Sequence, residues 1–371
     1  MNIVHIVRGD FNPNSLNGVY KVIDSVSKVL SQNGISVCVL SVTNKEGNIY
    51  EPKEYKHIRV SESKALFILT RKFKSFIDRQ STNTIYHFHS VFIPWFLSAM
   101  KYIKKHGCSH IVLTPHGQYV NEAMKKSIKK RVFFSFFDSR VIQSADIIHL
   151  IGKTEYNNYI KNNNQNIRFI PNGCNIGNYE LRERNLVFGY LGRLEIMQKG
   201  LELLIRAFGD YRNNGGIGIL CIAGDGPDKE MIENLIKEEN IERNVFFEGV
   251  LYDEKKWQFL RSVAFFLHPS LWDVIPTACM EAASCCVPLI VTEETNLGEY
   301  VSRYKSGYVV NTEVNDLSEK LFEAEKLYNR PDEYRKMCLN SYNMIHDELN
   351  WDNIGKRFIN ELYTIDVKNS H

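Results

Sequence analysis

The 371-residue chain lacks any apolar run that approaches the ~18 residues needed for a membrane-spanning helix. It begins with a strand-like segment, without the basic start and long apolar stretch of a secretory signal peptide. Its eight cysteines show neither C-x-x-C spacing nor the density of a disulfide framework. These absences predict a cytoplasmic protein with reduced thiols, and they argue against a disulfide-held secreted domain.

Several cofactor motifs are also missing. No G-x-G-x-x-G follows the first strand-like segment, which disfavours a nicotinamide or flavin enzyme. Gly152–Thr154 ends like a phosphate-binding P-loop, but Ile147 stands where that motif needs glycine. The metal-diphosphate triplet D-x-D does not occur. His87 and His89 share one face of a predicted strand, yet no nearby carboxylate or cysteine completes a site, so packing or substrate contact is favoured over metal binding.

Net charge is small overall but unevenly distributed. The chain has 46 basic and 43 acidic residues, a net charge of +3. Residues 1–172 contain 24 basic and 11 acidic residues, whereas residues 173–371 contain 22 and 32. A basic half joined to an acidic half indicates that one half faces an anionic partner.

Strand-like and helical patterns alternate along both halves of the chain. The predicted strands are 2–7, 35–42, 84–89, 110–114, 146–151, 186–191, 218–223, 244–248, 264–268 and 288–291. The predicted helices are 20–32, 92–106, 122–144, 200–212, 228–239, 254–261, 277–284, 315–328, 332–345 and 351–364. Such alternation predicts an α/β protein with parallel sheets covered on both faces. The turn-rich segment 171–180 predicts a linker, and hence two Rossmann-like domains facing a central cleft.

A pair of basic residues flanks a predicted helix start in the second half. The strand at 186–191 is followed by Gly192 and Arg193, and Lys199 and Gly200 stand where the next helix begins. Two side-chain cations and the oriented N–H groups of a helix N-terminus suit a diphosphate. Ordinary surface charge is the alternative, but placement at a strand end favours the binding interpretation.

Two further elements follow in the same half. Gly224 and Gly226, after the next strand, permit a tight turn or close approach of the backbone to a ligand, although this signal is weak alone. Asp273 lies in a loop and Glu281, after seven intervening residues, in the helix that Pro276 begins. Such carboxylates suit sugar hydroxyls and a ribose diol, and equally well a helix cap and an ordinary helical acid.

Taken together and in this order, the elements resemble the retaining glycosyltransferases of family 4, which have the GT-B fold. The family's motifs G-R…K-G, A-G-x-G-P and E-x7-E correspond to 192–193…199–200, 223–227 and Asp273…Glu281. The resemblance covers nearly the whole chain. Asp273 replaces the usual glutamate and is one carbon shorter. The glycine-rich turn common downstream is replaced by residues 293–299, although Thr295–Gly298 could still offer backbone N–H groups to phosphate.

The first half carries further points of resemblance. His116, within Thr114–Gly117, matches the histidine of the family's P-H-G turn, which lies near the reacting sugar. Gly18 matches a glycine loop whose amides approach the donor phosphates, with Asn17 in place of its first glycine. The closing helix resembles one that crosses back to the first domain. The expected domains are therefore 1–172 on the acceptor side, 173–345 for the nucleotide sugar, and 346–371 as the returning helix.

The resemblance implies transfer of a hexose or N-acetylhexosamine, with retained configuration, from a nucleotide-diphosphate sugar to a saccharide acceptor. A UDP-sugar is favoured over GDP-mannose, and a lipid-linked acceptor in the synthesis of bacterial O-antigen, lipopolysaccharide or capsule is expected. It assigns the reaction to His116, Arg193, Lys199 and Asp273. It assigns donor binding to Gly18, Gly192, Arg193, Lys199, Gly224, Gly226, Asp273 and Glu281, with Glu281 on the ribose. Neither a metal nor another cofactor is then expected.

The basic half contains a segment, 125–137, in which cations and aromatics alternate at helical spacing. Such a helix suits an anionic membrane, where each basic residue contributes ~1 kcal/mol. Alternatively, the aromatics face the core and the lysines are simply solvated. We expect peripheral association with the inner face of the cell membrane. Nucleic acid is not an expected partner because no recognised module is present. A nucleotide-sugar epimerase of the same fold and a non-catalytic sugar-nucleotide binding protein are the alternative functions.

Overall fold

A computed structural model of the protein describes residues 1–15, 17–108, 110–120, 124, 128–161, 166–177 and 181–364. The chain divides into two compact units, here called the first and the second unit. The first consists of Met1–Gly173 with Trp351–His371, and the second of Cys174–Asn350. The sequence analysis had placed these two boundaries after residues 172 and 345.

The first unit is built on a seven-stranded parallel sheet in the order β3-β2-β1-β4-β5-β6-β7. Its strands are β1 Asn2–Arg8, β2 Ser36–Val42, β3 Lys56–Val60, β4 Thr84–His89, β5 Ile111–Thr114, β6 Ile147–Leu150 and β7 Ile167–Phe169. Of these, β3 and β7 were not predicted. Both lie at the edges of the sheet, and both are short and partly exposed, so neither has the continuous apolar pattern of a buried strand.

The described helices of the first unit are α1 Gly18–Gln32, α2 Arg71–Asp78, α3 Trp95–Lys105, α4 Ile128–Phe133, α5 Ser139–Ser144, α6 Asn158–Lys161 and, after the second unit, α15 Trp351–Arg357. A π-helical segment, Phe134–Asp138, joins α4 to α5, and another, Phe358–Tyr363, continues α15. The predicted helix 122–144 is therefore interrupted within its described part. Helix α2 was not predicted, because four of its eight residues are Lys, Arg or Asp.

Alternate residues along β1 face opposite sides of this sheet, and each side is covered. Val4 and Ile6 belong to a cluster that includes residues of α3. Ile3 and Val7 belong to a second cluster with residues of α1 and of the C-terminal segment, among them Tyr363. The C-terminal segment thus supplies part of the first unit's core.

The second unit contains a six-stranded parallel sheet in the order β10-β9-β8-β11-β12-β13. Its strands are β8 Val187–Leu191, β9 Ile219–Ala223, β10 Val245–Gly249, β11 Phe265–His268, β12 Leu289–Thr292 and β13 Gly307–Val310. Its helices are α7 Ile196–Lys199, α8 Leu201–Asn213, α9 Lys229–Glu238, α10 Asp253–Ser262, α11 Thr277–Ser284, α12 Gly298–Tyr304, α13 Val314–Tyr328 and α14 Pro331–Met344. Short segments complete it: a 3-10 turn, Glu293–Thr295, and a π-helical turn, Ile345–Leu349.

The strand–helix alternation predicted for this half matches the observed order of elements, apart from the short α7, α12 and β13. Both sheets are parallel, as predicted, because helical crossovers return the chain to the same end of the sheet after each strand. No helix among the described residues is long and apolar enough to cross a bilayer.

Candidate active site

The candidate site of the second unit is formed by loops at one end of its sheet. Strands β9, β8, β11 and β12 are neighbours in that order and run parallel. Their carboxyl ends, at residues 223, 191, 268 and 292, therefore lie along one edge. Each motif predicted in the second half of the chain follows one of these strands, and this edge is where open α/β sheets bind ligands.

The two glycine turns pack directly on each other. Gly224 has a φ of +136°, and a Cβ there would overlap the carbonyl oxygen of Gly192. A Cβ at Gly226 would overlap the backbone of Leu194, whose N–H donates to the Asp225 carbonyl at 3.0 Å. Glycine is thus required at 224 and 226 for the contact between the loops. This gives both glycines a packing role beside the donor-binding role predicted for them.

Gly200 lets the loop after β11 approach Lys199 closely. It adopts a left-handed conformation, with φ +65°, at the junction of α7 and α8, and a Cβ there would overlap the Pro269 carbonyl oxygen. The N–H of Leu271 donates to the Gln198 carbonyl at 2.9 Å. The loop after β11 is therefore tied to the end of α7, which carries Lys199.

Lys199 and Asp273, predicted separately from two motifs, are in contact. Lys199 Nζ forms an ion pair with Asp273 Oδ2, and Nε2 of His268 lies 3.1 Å from the same oxygen. Burial acts to raise the pKa of Asp273, but the hydrogen bond from His268 and the charge of Lys199 outweigh it and hold that pKa well below its usual range. Burial lowers the pKa of His268. Asp273 is therefore anionic at neutral pH.

His268 was missed by the sequence analysis as a site residue. It ends β11, is 2% exposed, and stacks on Tyr190 with an interplanar angle of 8° and 5.9 Å between ring centroids. The hydroxyl of Tyr190 donates to the Arg193 carbonyl at 3.0 Å. A histidine five residues before Asp273 at a strand end is the signal that could have identified it.

The loop after β12 fixes the backbone around Asp273. The Asp273 N–H donates to the Glu294 carbonyl at 3.0 Å, and the side-chain amide of Asn296 donates to the Asp273 carbonyl at 2.8 Å. The expectation that Thr295–Gly298 offers amides to phosphate is partly wrong, because the N–H groups of Asn296 and Leu297 bond within the loop. Oε2 of Glu294 is buried without a hydrogen-bond partner among the described residues.

Glu281, on α11, has a cationic partner that the sequence analysis also missed. Lys256 Nζ, from α10, lies 2.7 Å from Glu281 Oε1, and the two side chains are 24% and 17% exposed.

Arg193 contrasts with this pair. Its side chain is 67% exposed, and its guanidinium lies 3.6 Å from Glu195. The geometry thus joins Lys199 to Asp273 and Lys256 to Glu281, while Arg193 extends into solvent.

Gly18, in the first unit, begins α1. The side chain of Asn17 caps this helix by accepting the Val19 N–H at 3.0 Å. A Cβ at Gly18 would meet nothing within 4 Å. There is therefore open space beside this backbone for the donor phosphates that the resemblance predicts here. No contact among the described residues requires glycine at this position.

His116 lies in the turn after β5 with a φ of +54°. Its Nε2 lies 2.9 Å from Nδ1 of His89. Glu155, fully buried, accepts the Gly117 N–H on one carboxylate oxygen and the Ile151 N–H on the other. Burial raises the pKa of Glu155 to about 7, although these backbone donors act to lower it. Glu155, which the sequence analysis did not single out, anchors the turn that carries His116.

His87 and His89 are brought together with a third histidine, His5, so that one ring nitrogen of each lies within 4.8 Å of the others. Both ring nitrogens of His87 have partners, the Tyr363 hydroxyl at 2.7 Å and Thr114 Oγ1 at 2.6 Å. Those of His89 contact His5 and His116. A metal ion would have to displace these hydrogen bonds.

The described part of the basic–aromatic segment has an exposed apolar face. Ile128, Val132 and Phe136 are 70%, 51% and 59% exposed, whereas Phe134 is buried. Phe137 contacts Phe67, with 5.1 Å between ring centroids. The exposed Phe136 therefore fits the membrane interpretation, and the buried Phe134 fits the core interpretation. Residues 125–127 lie outside the described residues, as does the side chain of Lys130.

Two family models match the chain. The model described as Glycosyltransferase Family 4 matches residues 16–177, and that described as Glycosyl transferases group 1 matches residues 175–341. An uncharacterized glycosyltransferase of Methanocaldococcus jannaschii is 26% identical over 284 residues, which are 74% of this chain and 77% of that protein. The phosphatidylinositol N-acetylglucosaminyltransferase GPI3 subunit of Saccharomyces cerevisiae is 26% identical over 183 residues, 48% of this chain and 38% of that protein.

The fold is also found among solved structures. The Anabaena protein HepE in complex with UDP superposes with a TM-score of 0.73 at 12% identity, over 98% of this chain and 100% of that chain. At this identity the similarity shows the fold, which is GT-B. Between them, the two family models span strands β2 to β13 and each of the predicted motifs. The chain belongs to the family 4, group 1 glycosyltransferases.

Proposed function

We propose that the protein is a retaining transferase that moves a hexose or N-acetylhexosamine from a nucleotide-diphosphate sugar to a saccharide acceptor. The observation that carries this proposal is the contact of Lys199 with Asp273 at the sheet edge of the second unit. A cation suited to a diphosphate stands there beside a carboxylate suited to sugar hydroxyls. A diphosphate sugar combines both groups in one molecule.

In the proposed reaction, the bond between the anomeric carbon and the diphosphate breaks, and its electron pair stays on the diphosphate. The acceptor hydroxyl attacks from the same face and passes its proton to the departing phosphate, so configuration is retained. Lys199 binds the leaving group more strongly as its negative charge grows, which lowers the barrier. Arg193, which is exposed, adds a second cation, so the proposal needs no metal.

Asp273 would accept hydrogen bonds from hydroxyls of the transferred sugar. Its low pKa keeps it an acceptor across the neutral range. Oε2 of Glu294, which has no partner in the described part of the chain, is a second acceptor in the loop that holds Asp273. Gly18, Gly192, Gly224 and Gly226 would contribute donor-binding backbone. His116 would lie near the transferred sugar.

Glu281 would accept both hydroxyls of the nucleotide ribose. Lys256, 2.7 Å away, holds the carboxylate in place. UDP is the nucleotide we favour over GDP. The presence of UDP in the HepE structure supports this choice by analogy of fold.

We infer that the acceptor is lipid-linked and that the protein binds an anionic membrane at its inner face, in the synthesis of a surface polysaccharide. Support comes from exposed apolar side chains in two segments of the first unit, here together called the exposed apolar patch: Leu66 and Ile68 in one, and Ile128, Val132 and Phe136 in the other. The ring contact of Phe67 with Phe137 connects the two segments. Next to these residues in sequence stand the exposed cations Lys64, Arg71, Lys72, Lys129 and Arg131. Exposed apolar side chains with cations beside them in sequence suit lipid headgroups and the acyl boundary. The yeast relative, by its name, acts on phosphatidylinositol.

A two-stage experiment tests the proposed function. Thermal shifts with UDP and GDP first identify the nucleotide, and we expect the larger shift with UDP. Sugars on the preferred nucleotide are then incubated with and without a lipid-linked saccharide, and products are followed by mass spectrometry and by NMR of the anomeric proton. Transfer with retained configuration supports the proposal. Conversion of the donor without acceptor would indicate an epimerase, and binding without turnover a sensor.

A further inference from the structure

One face of the first sheet carries a row of buried histidines. They are His5 on β1, His87 and His89 on β4, and His149 on β6, and none is more than 3% exposed. Most of the other side chains on this face are apolar, and α1 and the C-terminal segment cover it. Buried polar groups in such a place persist when they are hydrogen-bonded. The bonds of these histidines form two separate chains.

The first chain, here called the anchored chain, has a direction set by its last acceptor. It runs through Tyr363, His87, Thr114 and His149 to the carbonyl oxygen of Ile170, with contacts of 2.6–2.8 Å. A carbonyl only accepts, so His149 Nε2 carries a hydrogen. Burial lowers the pKa of His149 to about 4, so its Nδ1 is an acceptor at neutral pH. The Thr114 hydroxyl must then donate to His149, His87 to Thr114, and Tyr363 to His87.

The second chain, here called the open chain, ends at His116. His5 Nδ1 lies 2.8 Å from His89 Nε2, and His89 Nδ1 lies 2.9 Å from His116 Nε2. Burial lowers the pKa of His5 and of His116 to about 3, and that of His89 well below its usual value. All three rings are therefore neutral, and each nitrogen–nitrogen contact holds one hydrogen. Two directions are possible, and each fixes which nitrogen of His116 is protonated.

The inner end of the open chain distinguishes the two directions. Nε2 of His5 is buried and has no partner among the described residues. If the chain ran from His116 inward, this nitrogen would be a buried N–H without an acceptor. If it runs outward from His5, the nitrogen is only a lone pair without a donor. Orphaned N–H groups are the rarer of the two in native backbones, and the same preference applies here.

We propose that the open chain runs from His5 through His89 to His116, and that His5 and His89 are positioning residues that hold His116 in its Nδ1–H form. Nδ1 of His116 also has no partner among the described residues, but His116 is only partly buried, whereas His5 is fully buried, so the His116 N–H is accessible to a ligand. Resting on the proposed function, we assign as that ligand an uncharged oxygen of the transferred sugar. The anchored chain supports this arrangement because His87 stacks on His89 with 4.2 Å between ring centroids.

The form of His116 can be measured without any assay of transfer. Long-range proton–nitrogen correlation spectra of protein labelled with ¹⁵N-histidine separate Nδ1–H from Nε2–H rings at neutral pH. The His116 signal is assigned by its loss in His116→Phe. We expect the Nδ1–H form in the wild type, and an Nε2–H signal would overturn the proposal.

Two substitutions of His89 test its positioning role. In His89→Asn, the side-chain amide nitrogen replaces Nδ1 as donor to His116, so the Nδ1–H form should persist. In His89→Leu, no donor remains, and His116 should show a mixture of forms. Exposed His106→Asn, in the same unit, serves as a control that leaves the His116 signal unchanged. Persistence of a pure Nδ1–H signal in His89→Leu would also overturn the positioning role.

Transfer kinetics of the same variants test the ligand. The loss of one oriented hydrogen bond predicts a kcat about tenfold lower in His89→Leu, with the KM for the donor within about twofold, and recovery in His89→Asn. Unchanged kcat in His89→Leu would exclude the sugar contact. An inactive wild type would contradict the proposed function instead, and the spectra would still decide the form of His116. Should His89→Leu fail to fold, the wild-type and His89→Asn spectra still decide it.

Discussion

Nε2 of His268 lies 3.1 Å from Oδ2 of Asp273, the carboxylate oxygen that also contacts Lys199. Burial acts to raise the pKa of Asp273, and these two donors reverse that effect. In the free chain, the charge of Lys199 is therefore balanced by Asp273. A ligand that carries a phosphate and hydroxyl groups can replace this ion pair without leaving either charge unpaired. Its phosphate would pair with Lys199, and its hydroxyls would donate hydrogen bonds to Asp273.

Replacement of Lys199 tests the stabilisation of the leaving group. Because the cation acts on charge that develops in the transition state, we expect kcat of Lys199→Ala to fall at least about 100-fold in a transfer assay. Lys229→Ala is the matched control. Lys229 is exposed and its Nζ is 4.0 Å from Glu233, so activity should stay within about twofold. Activity of Lys199→Ala within about threefold of the wild type would contradict the role.

Glu281→Gln tests the ribose contact. We expect UDP to bind about tenfold more weakly, because hydrogen bonds to a charged acceptor are the stronger ones. The control is a change of ligand. Wild type should prefer UDP over 2′-deoxy-UDP, and Glu281→Gln should lose that preference, as measured by titration calorimetry. An equal preference in both proteins would place Glu281 away from the ribose.

Substitutions of Gly200 and Gly18 by alanine form a matched pair that compares a glycine required by packing with one that is not. Gly200→Ala forces a Cβ into the Pro269 carbonyl at a left-handed φ, so we expect a lower unfolding temperature and loss of activity. Gly18→Ala meets no atom within 4 Å and lies in the first turn of α1, so stability should be unchanged or slightly higher. If the Gly18 amide approaches the donor phosphates, this variant should nevertheless bind the donor more weakly. Unchanged donor affinity would remove Gly18 from the site.

The buried histidines predict a particular pH dependence of stability. His5 has a folded-state pKa of about 3, below its unfolded value of about 6.5, so its contribution is complete above pH ~6.5 and is lost as the pH falls toward 3. Asp138 and Glu155, with raised pKa values, act in the opposite sense. Wild type and His5→Phe both contain these other groups, so the groups' contributions cancel in the difference between the two unfolding free energies. Relative to the variant, wild type should lose up to about 1.4 kcal/mol per pH unit in urea unfolding below pH ~6.5. A pH-independent difference would contradict this prediction.

The exposed apolar patch predicts membrane binding by specific residues. Phe136→Ser and Ile128→Ser should reduce co-sedimentation with anionic vesicles, because they remove apolar area from the contact. Ile217→Ser, at a position that is 67% exposed in the second unit, should have no effect. Binding of the wild type should weaken in high salt and with zwitterionic vesicles. No binding of wild type to anionic vesicles at low salt would exclude the proposed surface.

Periodic patterns in the sequence predicted most strands and helices of both units. They failed at β3, β7 and β13, which lie at sheet edges, because an edge strand is only partly buried and its apolar pattern is weak. The patterns also did not predict the π-helical turns, because the apolar spacing there stays close to that of an α-helix. The glycines at 200 and 224 were recognised from their motifs, but the carbonyl groups that require them belong to other loops.

The sequence by itself determined the order of strands and helices, the family resemblance, and the positions of Lys199, Asp273 and Glu281, since these depend on neighbouring residues and on spacing along the chain. Only the tertiary structure decided which of these groups meet. Lys199 and Asp273 are 74 residues apart, and His87 and Tyr363 are 276 apart. Such pairs are set by the order of parallel strands in each sheet and by the return of the C-terminal segment. Burial and these partners then keep Asp273 anionic and His87 neutral, because a charge removed from water persists only beside an opposite charge.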